Sequence, residues 1–248
     1  MTLTEYYLAD LEYASKMKKI VFCIPTITKP YQCLLDSLEA ATLFIEQKGY
    51  ETFMITEVGC PYVSHARATL LRKALDAKPD IIVFLDHDLS FDPDDLLKLI
   101  ETEGAYVCGT YRYKREPEEY MGSLLTNQDG TPRVRESDGA LYAYSAPAGF
   151  MKITPGMVNS MIEKYPDLCY GERHTPHVDL FRHGAYNYTW IGEDYMCSLR
   201  WIEAGFDLFI VPDLNINHHT HEEEFKGNFH EFLLRQPGGS NESRAWQE

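Results

Sequence analysis

The sequence predicts an α/β fold, a mainly parallel sheet flanked by helices with a small antiparallel appendage. Three observations carry this. Through the first half, short apolar runs alternate with stretches whose apolar residues recur at helical period. One run, Ile81–Leu85 (IIVFL), is continuously apolar, long enough for a strand buried on both faces and too short for a helix. Beyond Tyr111 the pattern changes to short alternating runs broken by Gly122, Asn127-Gln128-Asp129-Gly130 and Asp138-Gly139, which reads as hairpins.

Residues 1–17 read as a polar helical lead-in, with Leu8, Leu11 and Tyr13 available to dock on the body. Residues 19–25 (KIVFCIP) form the first strand, 26–30 turn, and 31–48 form a helix with apolar positions at 34, 35, 38, 41, 42 and 45. Gly49 closes it, and 51–57 (ETFMITE) is the second strand. Residues 63–77 are a helix carrying Arg67, Arg72 and Lys73. The central strand ends in Asp86-His87-Asp88. Asp92 then stands at the N-cap and Pro93 at the first position of a helix running to about residue 103. Residues 105–111 are a fourth strand. This order implies right-handed crossovers between parallel strands. Thr154 caps a helix over 155–165, while 169–188, rich in aromatics and histidines, reads as a long functional loop. A helix over 193–204 is closed by Gly205, a strand over 207–211 ends at Pro212, 222–234 is helical, and the last dozen residues are loose. No internal repeat or linker divides the chain, so a single domain over 1–248 is expected.

The chain has 248 residues, 44% of them hydrophobic, enough for a substantial core. No apolar run reaches membrane-spanning length and the polar N-terminus has no signal-peptide pattern, so the expectation is a soluble, cytoplasmic protein. A net charge of −15 argues against non-specific binding to nucleic acid. It also repels nucleoside diphosphates, so a site for one needs a bound cation and well-placed basic residues. The strip Tyr111-Arg112-Tyr113-Lys114-Arg115 could meet a donor sugar, an acidic acceptor or solvent, and solvent is the default. The six cysteines include no C-x-x-C pair, so neither a zinc cage nor a disulfide framework is expected.

Ligands of open α/β sheets collect beyond the carboxyl ends of the strands. Two carboxylates there, Asp86 and Asp88, can hold a hard cation, and the cation a diphosphate. A pair of loop acids with no such role is the plain alternative. What tips the balance is the second informative stretch, 190–219, with Glu193-Asp194, Arg200, Gly205, Pro212 and His218. That spacing resembles the nucleotide-sugar glycosyltransferases of the GT-A fold, a Rossmann-like architecture, and in particular their family 2-like branch. VFCIPT, HARATLLRKAL, the D-x-D of LDHDL and AGFMKI resemble the same family's opening strand, A-R-N helix, acidic motif and acceptor-side strand, in that order. The resemblance spans roughly 19–219.

The resemblance implies a metal-dependent transfer of a hexose-type sugar from a nucleotide-diphosphate donor, UDP-sugar favoured, to an acceptor hydroxyl. Residues 19–111 would be the nucleotide-binding half, 112–219 the acceptor and catalytic half, and 220–248 a helix or lid. Asp88 and His218 would ligate Mn2+ or Mg2+, with His219 or His221 as alternatives to His218, and Asp86 would bind the metal through water or the ribose. Asp194 would be the general base, beside Glu193, if transfer inverts the anomeric centre. Pro25, Thr26, Glu57 and Arg67 would contact the nucleotide, and Trp190 would stack on sugar. Glu57 and Ala68 depart from the family's usual Asp and Asn. The acceptor could be a polysaccharide, a protein, a lipid-linked sugar or a modified nucleic-acid base, and such compact forms also occur in viruses and phages. A nucleotidyltransferase would need a glycine-rich phosphate loop that IPTITKP lacks, and a non-catalytic nucleotide-sugar-binding module would not need Asp86, Asp88, Asp194 and His218 together.

Overall fold

The computed structural model describes residues 17–236. The expected lead-in helix, all but its last residue, and the loose final dozen lie outside that span. The elements run β1 (Lys18–Thr26), α1 (Gln32–Gln47), β2 (Tyr50–Val58), α2 (Val63–Asp76), β3 (Ile81–Leu85), β4 (Leu89–Phe91) and α3 (Pro93–Glu101). Then come β5 (Tyr106–Gly109), β6 (Ser123–Leu124), β7 (Leu141–Ser145), β8 (Phe150–Ile153) and α4 (Pro155–Lys164). The second half closes with β9 (Cys169–Glu172), β10 (Thr175–Val178), β11 (Gly184–Tyr186), β12 (Thr189–Ile191), α5 (Glu193–Glu203), β13 (Leu208–Val211), β14 (Ile216–His219), β15 (Glu224–Phe225) and α6 (Phe229–Arg235).

Side-chain alternation along the strands builds two apolar layers. Ile20, Phe22 and Ile24 face α1 and α3, which supply Leu34, Leu38, Ala41, Ile45, Leu96, Leu99 and Ile100. Val21 and Cys23 face the other way, toward Leu70, Leu71 and Ala74 of α2, with Met157 and Met161 of α4 and Cys197 and Trp201 of α5 extending that layer. Period two in the strand and 3.6 in the helix produce this sorting. Each fully buried Leu or Ile contributes about 1.5–3 kcal/mol, so both layers are needed to offset chain entropy.

Eight strands form the main sheet, in the order β2-β1-β3-β8-β5-β13-β7-β6. β1 pairs in parallel with β2 and β3, and β13 with β5. β8 runs antiparallel between β3 and β5, with all four residues buried, so the segment AGFMKI lies in the middle of the sheet. The sheet is mixed, with most of its strands running in one direction, and the carboxyl ends of β1, β2, β3 and β5 share one edge. A second sheet, β15-β14-β4, stands at that edge. Among the described residues no helix is long and apolar enough to cross a membrane.

Several local expectations change. Asp92 precedes α3, but its side chain makes no cap bond; its carbonyl instead accepts the Asp95 amide at 3.1 Å. Thr154 does cap α4, accepting from the Met157 amide at 3.2 Å. Residues 169–188 are largely hairpin, β9 with β10 and β11 with β12, because short strands of alternating exposure carry no clean period. The helix expected over 222–234 is instead Phe229–Arg235, since Glu224–Phe225 pairs with β14 as β15.

Candidate active site

The short strand β4 assembles the first half of the site. It pairs antiparallel with β14 in the register Leu89–His218, Ser90–Asn217 and Phe91–Ile216, and the His219 amide donates to the Asp88 carbonyl at 2.9 Å. His218 therefore meets the residue just before β4, and its Nε2 stands 3.7 Å from Asp88 Oδ1. Both side chains are buried. His219 points to the other face, where Nε2 lies 2.8 Å from Ser90 Oγ, and His221 stacks on Tyr31 with ring centroids 4.9 Å apart. Of the three histidines, only His218 faces Asp88.

The tautomer of His218 follows from its other partner. Nδ1 lies 2.8 Å from the Arg112 carbonyl, which only accepts, so Nδ1 carries a proton. A neutral ring then turns its Nε2 lone pair toward a carboxylate oxygen, an arrangement that repels unless a cation or a second proton stands between them. One imidazole nitrogen and one carboxylate, oriented by a carbonyl behind the ring, suit Mn2+ or Mg2+. Among the described residues no group of three or more His, Cys, Asp and Glu could hold a metal alone, so the remaining ligands would come from phosphate or water. The other Asp88 oxygen accepts a hydrogen bond from the Lys114 ammonium. Burial works to raise this carboxyl, but His218, when its ring carries the second proton, and the Lys114 ammonium outweigh it and hold it well below the usual carboxylate range. The basic strip is thus not simply solvated.

The second half is organised by Arg67, on α2. Its guanidinium is buried and donates to Asp86 Oδ1 at 2.8 Å and to Glu193 Oε1 at 2.5 Å. It stacks over Phe181, 5.4 Å from the ring centroid. Burial alone lowers a guanidinium's affinity for its proton, yet Asp86, Glu193 and Asp194 together raise it above the ordinary arginine value. Asp86 Oδ2 accepts from the Tyr111 hydroxyl at 3.0 Å. Both of its oxygens are therefore engaged by protein donors, Arg67 and Tyr111, and the Tyr111 ring in turn stands edge-on to His218 with centroids 5.0 Å apart. Glu193, expected beside the base, is held by Arg67 and reads as a positioning group.

Asp194 opens α5. Its Oδ1 accepts from the Tyr195 amide at 2.8 Å. Burial, then the adjacent Glu193 charge, push its carboxyl up to about 6, against the opposing pull of Arg67. A carboxylate with that value is poised to take a proton near neutrality.

The remaining expected contacts are dispersed. Pro25 and Glu57 are register partners at the ends of β1 and β2, and Glu57 pairs with Lys73 at 2.7 Å. The Thr26 hydroxyl is buried with no hydrogen-bond partner, the kind of orphan a ligand satisfies. Trp190 is 70% exposed on the β11–β12 hairpin, against His183, and touches none of the acidic groups in the hydrogen bonds and ring contacts seen. Sequence reasoning weighed Tyr111 and Lys114 only within a strip whose default was solvent, and did not single out Gly149. Gly149 was legible only as part of AGF; a Cβ there would fall on Asp86 and the Tyr111 hydroxyl.

No family model matches the sequence, and no curated protein matches it significantly. Solved structures do resemble it. A mutant of Drosophila β1,4-galactosyltransferase 7, in complex with manganese, UDP-Gal and xylobiose, aligns over 78% of this chain and 65% of its own at 15% identity and TM-score 0.44. GalNAc-T7 with UDP, GalNAc and Mn2+ aligns over 82% and 44% at 12% identity and TM-score 0.48. The inositol-1-phosphate CTP transferase of T. maritima aligns over 78% and 84% at 11% identity and TM-score 0.39. This chain thus spans less than two thirds of either glycosyltransferase, and likeness at this level assigns no activity.

Proposed function

We propose that the protein is a metal-dependent glycosyltransferase of GT-A type, moving a sugar from a nucleotide-diphosphate donor, UDP-sugar favoured, to an acceptor hydroxyl. The observation that supports this most is the meeting of Asp88 and His218 at 3.7 Å beyond the carboxyl edge of the sheet, with the imidazole oriented by Arg112. Bound there, Mn2+ or Mg2+ would act as a Lewis acid on the departing diphosphate.

The chain's own residues do the rest. Asp194 takes the proton of the acceptor hydroxyl as its oxygen attacks the anomeric carbon, and the glycosidic C–O electron pair leaves with the nucleoside diphosphate. Arg67 fixes Asp86 and Glu193 around that carboxylate. Glu193 keeps negative charge beside Asp194, which sustains its basicity. Thr26 offers its unpartnered hydroxyl to the nucleoside, and Pro25 and Glu57 flank it.

The test is a panel of nucleotide sugars incubated with Mn2+, with product nucleotides and free sugar read by mass spectrometry. Release of nucleoside diphosphate with transfer or hydrolysis of the sugar is expected, lost in Asp88→Ala with fold retained by circular dichroism. Pyrophosphate release would assign a nucleotidyltransferase instead. Turnover that survives Asp88→Ala would remove the metal role.

A further inference from the structure

Lys114 is the cationic side chain placed on the carboxylate of the proposed metal site, and it arrives on the same segment that orients the histidine. The Arg112 carbonyl receives the His218 ring, and two residues on, the Lys114 ammonium takes Asp88 Oδ2. Segment 111–121 is folded back on itself, with Tyr113 donating to Glu119 at 2.9 Å and Met121 donating to Tyr111 at 3.1 Å. Both elements of the site are thus bound by one loop.

We propose that Lys114 is an internal counter-cation that competes with the divalent metal for Asp88, so that Lys114 sets the site's metal affinity and is released when metal binds. The proposal rests on the metal reading above. A buried carboxylate needs a compensating charge. Lys114 supplies it when the site holds no metal, and a divalent ion between Asp88 and His218 supplies more. The lysine is the member able to leave: its side chain is 28% exposed, against 12% for Asp88 and 9% for His218. It also borders an open cavity of about 420 Å³ lined by Arg112, Arg115, Glu116, Glu223 and Phe225, which gives the released ammonium space beside acidic groups. A lysine stem turns without moving the backbone, unlike the hydrogen-bonded His218 ring.

The experiment is a Mn2+ titration of the full chain, followed by the paramagnetic resonance of the free ion, on the native protein, Lys114→Met, Lys226→Met and Asp88→Asn. Lys114→Met should bind Mn2+ at least about tenfold more tightly than the native chain, a loss of competition worth one power of ten. Lys226→Met, whose lysine pairs with Glu224 at 3.3 Å, should match the native chain. Equal affinity of Lys114→Met and the native chain, where Asp88→Asn still weakens binding, overturns the competition and spares the metal site. Absence of any Asp88-dependent binding overturns both. Acylation of the native protein by an amine-reactive ester, read peptide by peptide, keeps the question open to refutation if Lys114→Met fails to fold. Mn2+ should speed labelling of Lys114 severalfold and leave Lys226 unchanged; an unchanged Lys114 rate at saturating Mn2+ overturns the proposal.

Discussion

Gly149 and Asp86 are in direct contact across the end of the sheet. The Asp86 amide donates to the Gly149 carbonyl at 2.8 Å, and a Cβ at 149 would overlap the Asp86 carboxylate and the Tyr111 hydroxyl. Gly149→Ala should therefore push Asp86 off Arg67. Overpacking of this kind costs about 1–3 kcal/mol. The expected result is a lowered melting temperature together with a loss of transferase turnover of about a hundredfold or more. Unchanged turnover would mean that Asp86 has no part in holding the site.

Arg67→Met tests the network from its centre. The substitution leaves Asp86 and Glu193 facing each other without a counter-charge. Breaking a buried pair costs about 3–5 kcal/mol, and these carboxylates, each roughly a quarter exposed, should fall at the lower end. Urea unfolding measures it. Adding Glu193→Gln should recover part of the loss, and full additivity of the two changes would show that the residues do not interact.

Asp194 makes stability depend on pH in an unusual direction. Its folded carboxyl titrates at about 6, above the ordinary aspartate value of 3.8. The folded state thus holds the proton more tightly, and this contribution is complete below the unfolded value and is lost as pH rises through about 6. Asp194→Asn should match the native chain's stability near pH 3 and exceed it by about 2–3 kcal/mol at pH 8. Turnover runs the other way, because the base must be ionised: it should rise through about pH 6 in the native chain and be absent in Asp194→Asn. A native chain whose turnover is flat from pH 5 to 8 would rule Asp194 out as the base.

His218 and His219 are neighbours with opposite orientations, and their substitution should separate cleanly. His218→Ala should weaken Mn2+ binding by about a hundredfold or more, since losing even a group that only orients a metal ligand costs about ten- to a hundredfold. His219→Gln, which disturbs the Ser90 hydroxyl and Glu224, should leave Mn2+ affinity within about twofold. Calorimetry of the metal titration reads both.

The parts of the molecule visible in the sequence were those with local causes. The apolar run at Ile81–Leu85, the helical period of Gln32–Gln47 and the proline at the head of α3 each act within a few residues, and each matches an element of the fold. The acids and His218 were visible as spacing. The Lys114 contact was not, because a lysine in a basic strip reads as solvated until a distant carboxylate is brought to it. β4 escaped for a related reason: three residues carry too little pattern, and their pairing with β14 joins segments far apart in sequence. Burial of β8 between β3 and β5 depends on a chain reversal that no short stretch encodes.

The ladder between β4 and β14 has only three rungs. Sliding it by a single rung would present Asn217 or His219 where His218 now stands, since neighbouring strand residues point to opposite sides. The distance in sequence from Pro212 to His218 is therefore a ruler. A one-residue insertion or deletion there would leave the eight-stranded body standing and abolish the proposed transfer, so natural variation in length should be confined to the hairpins at the periphery.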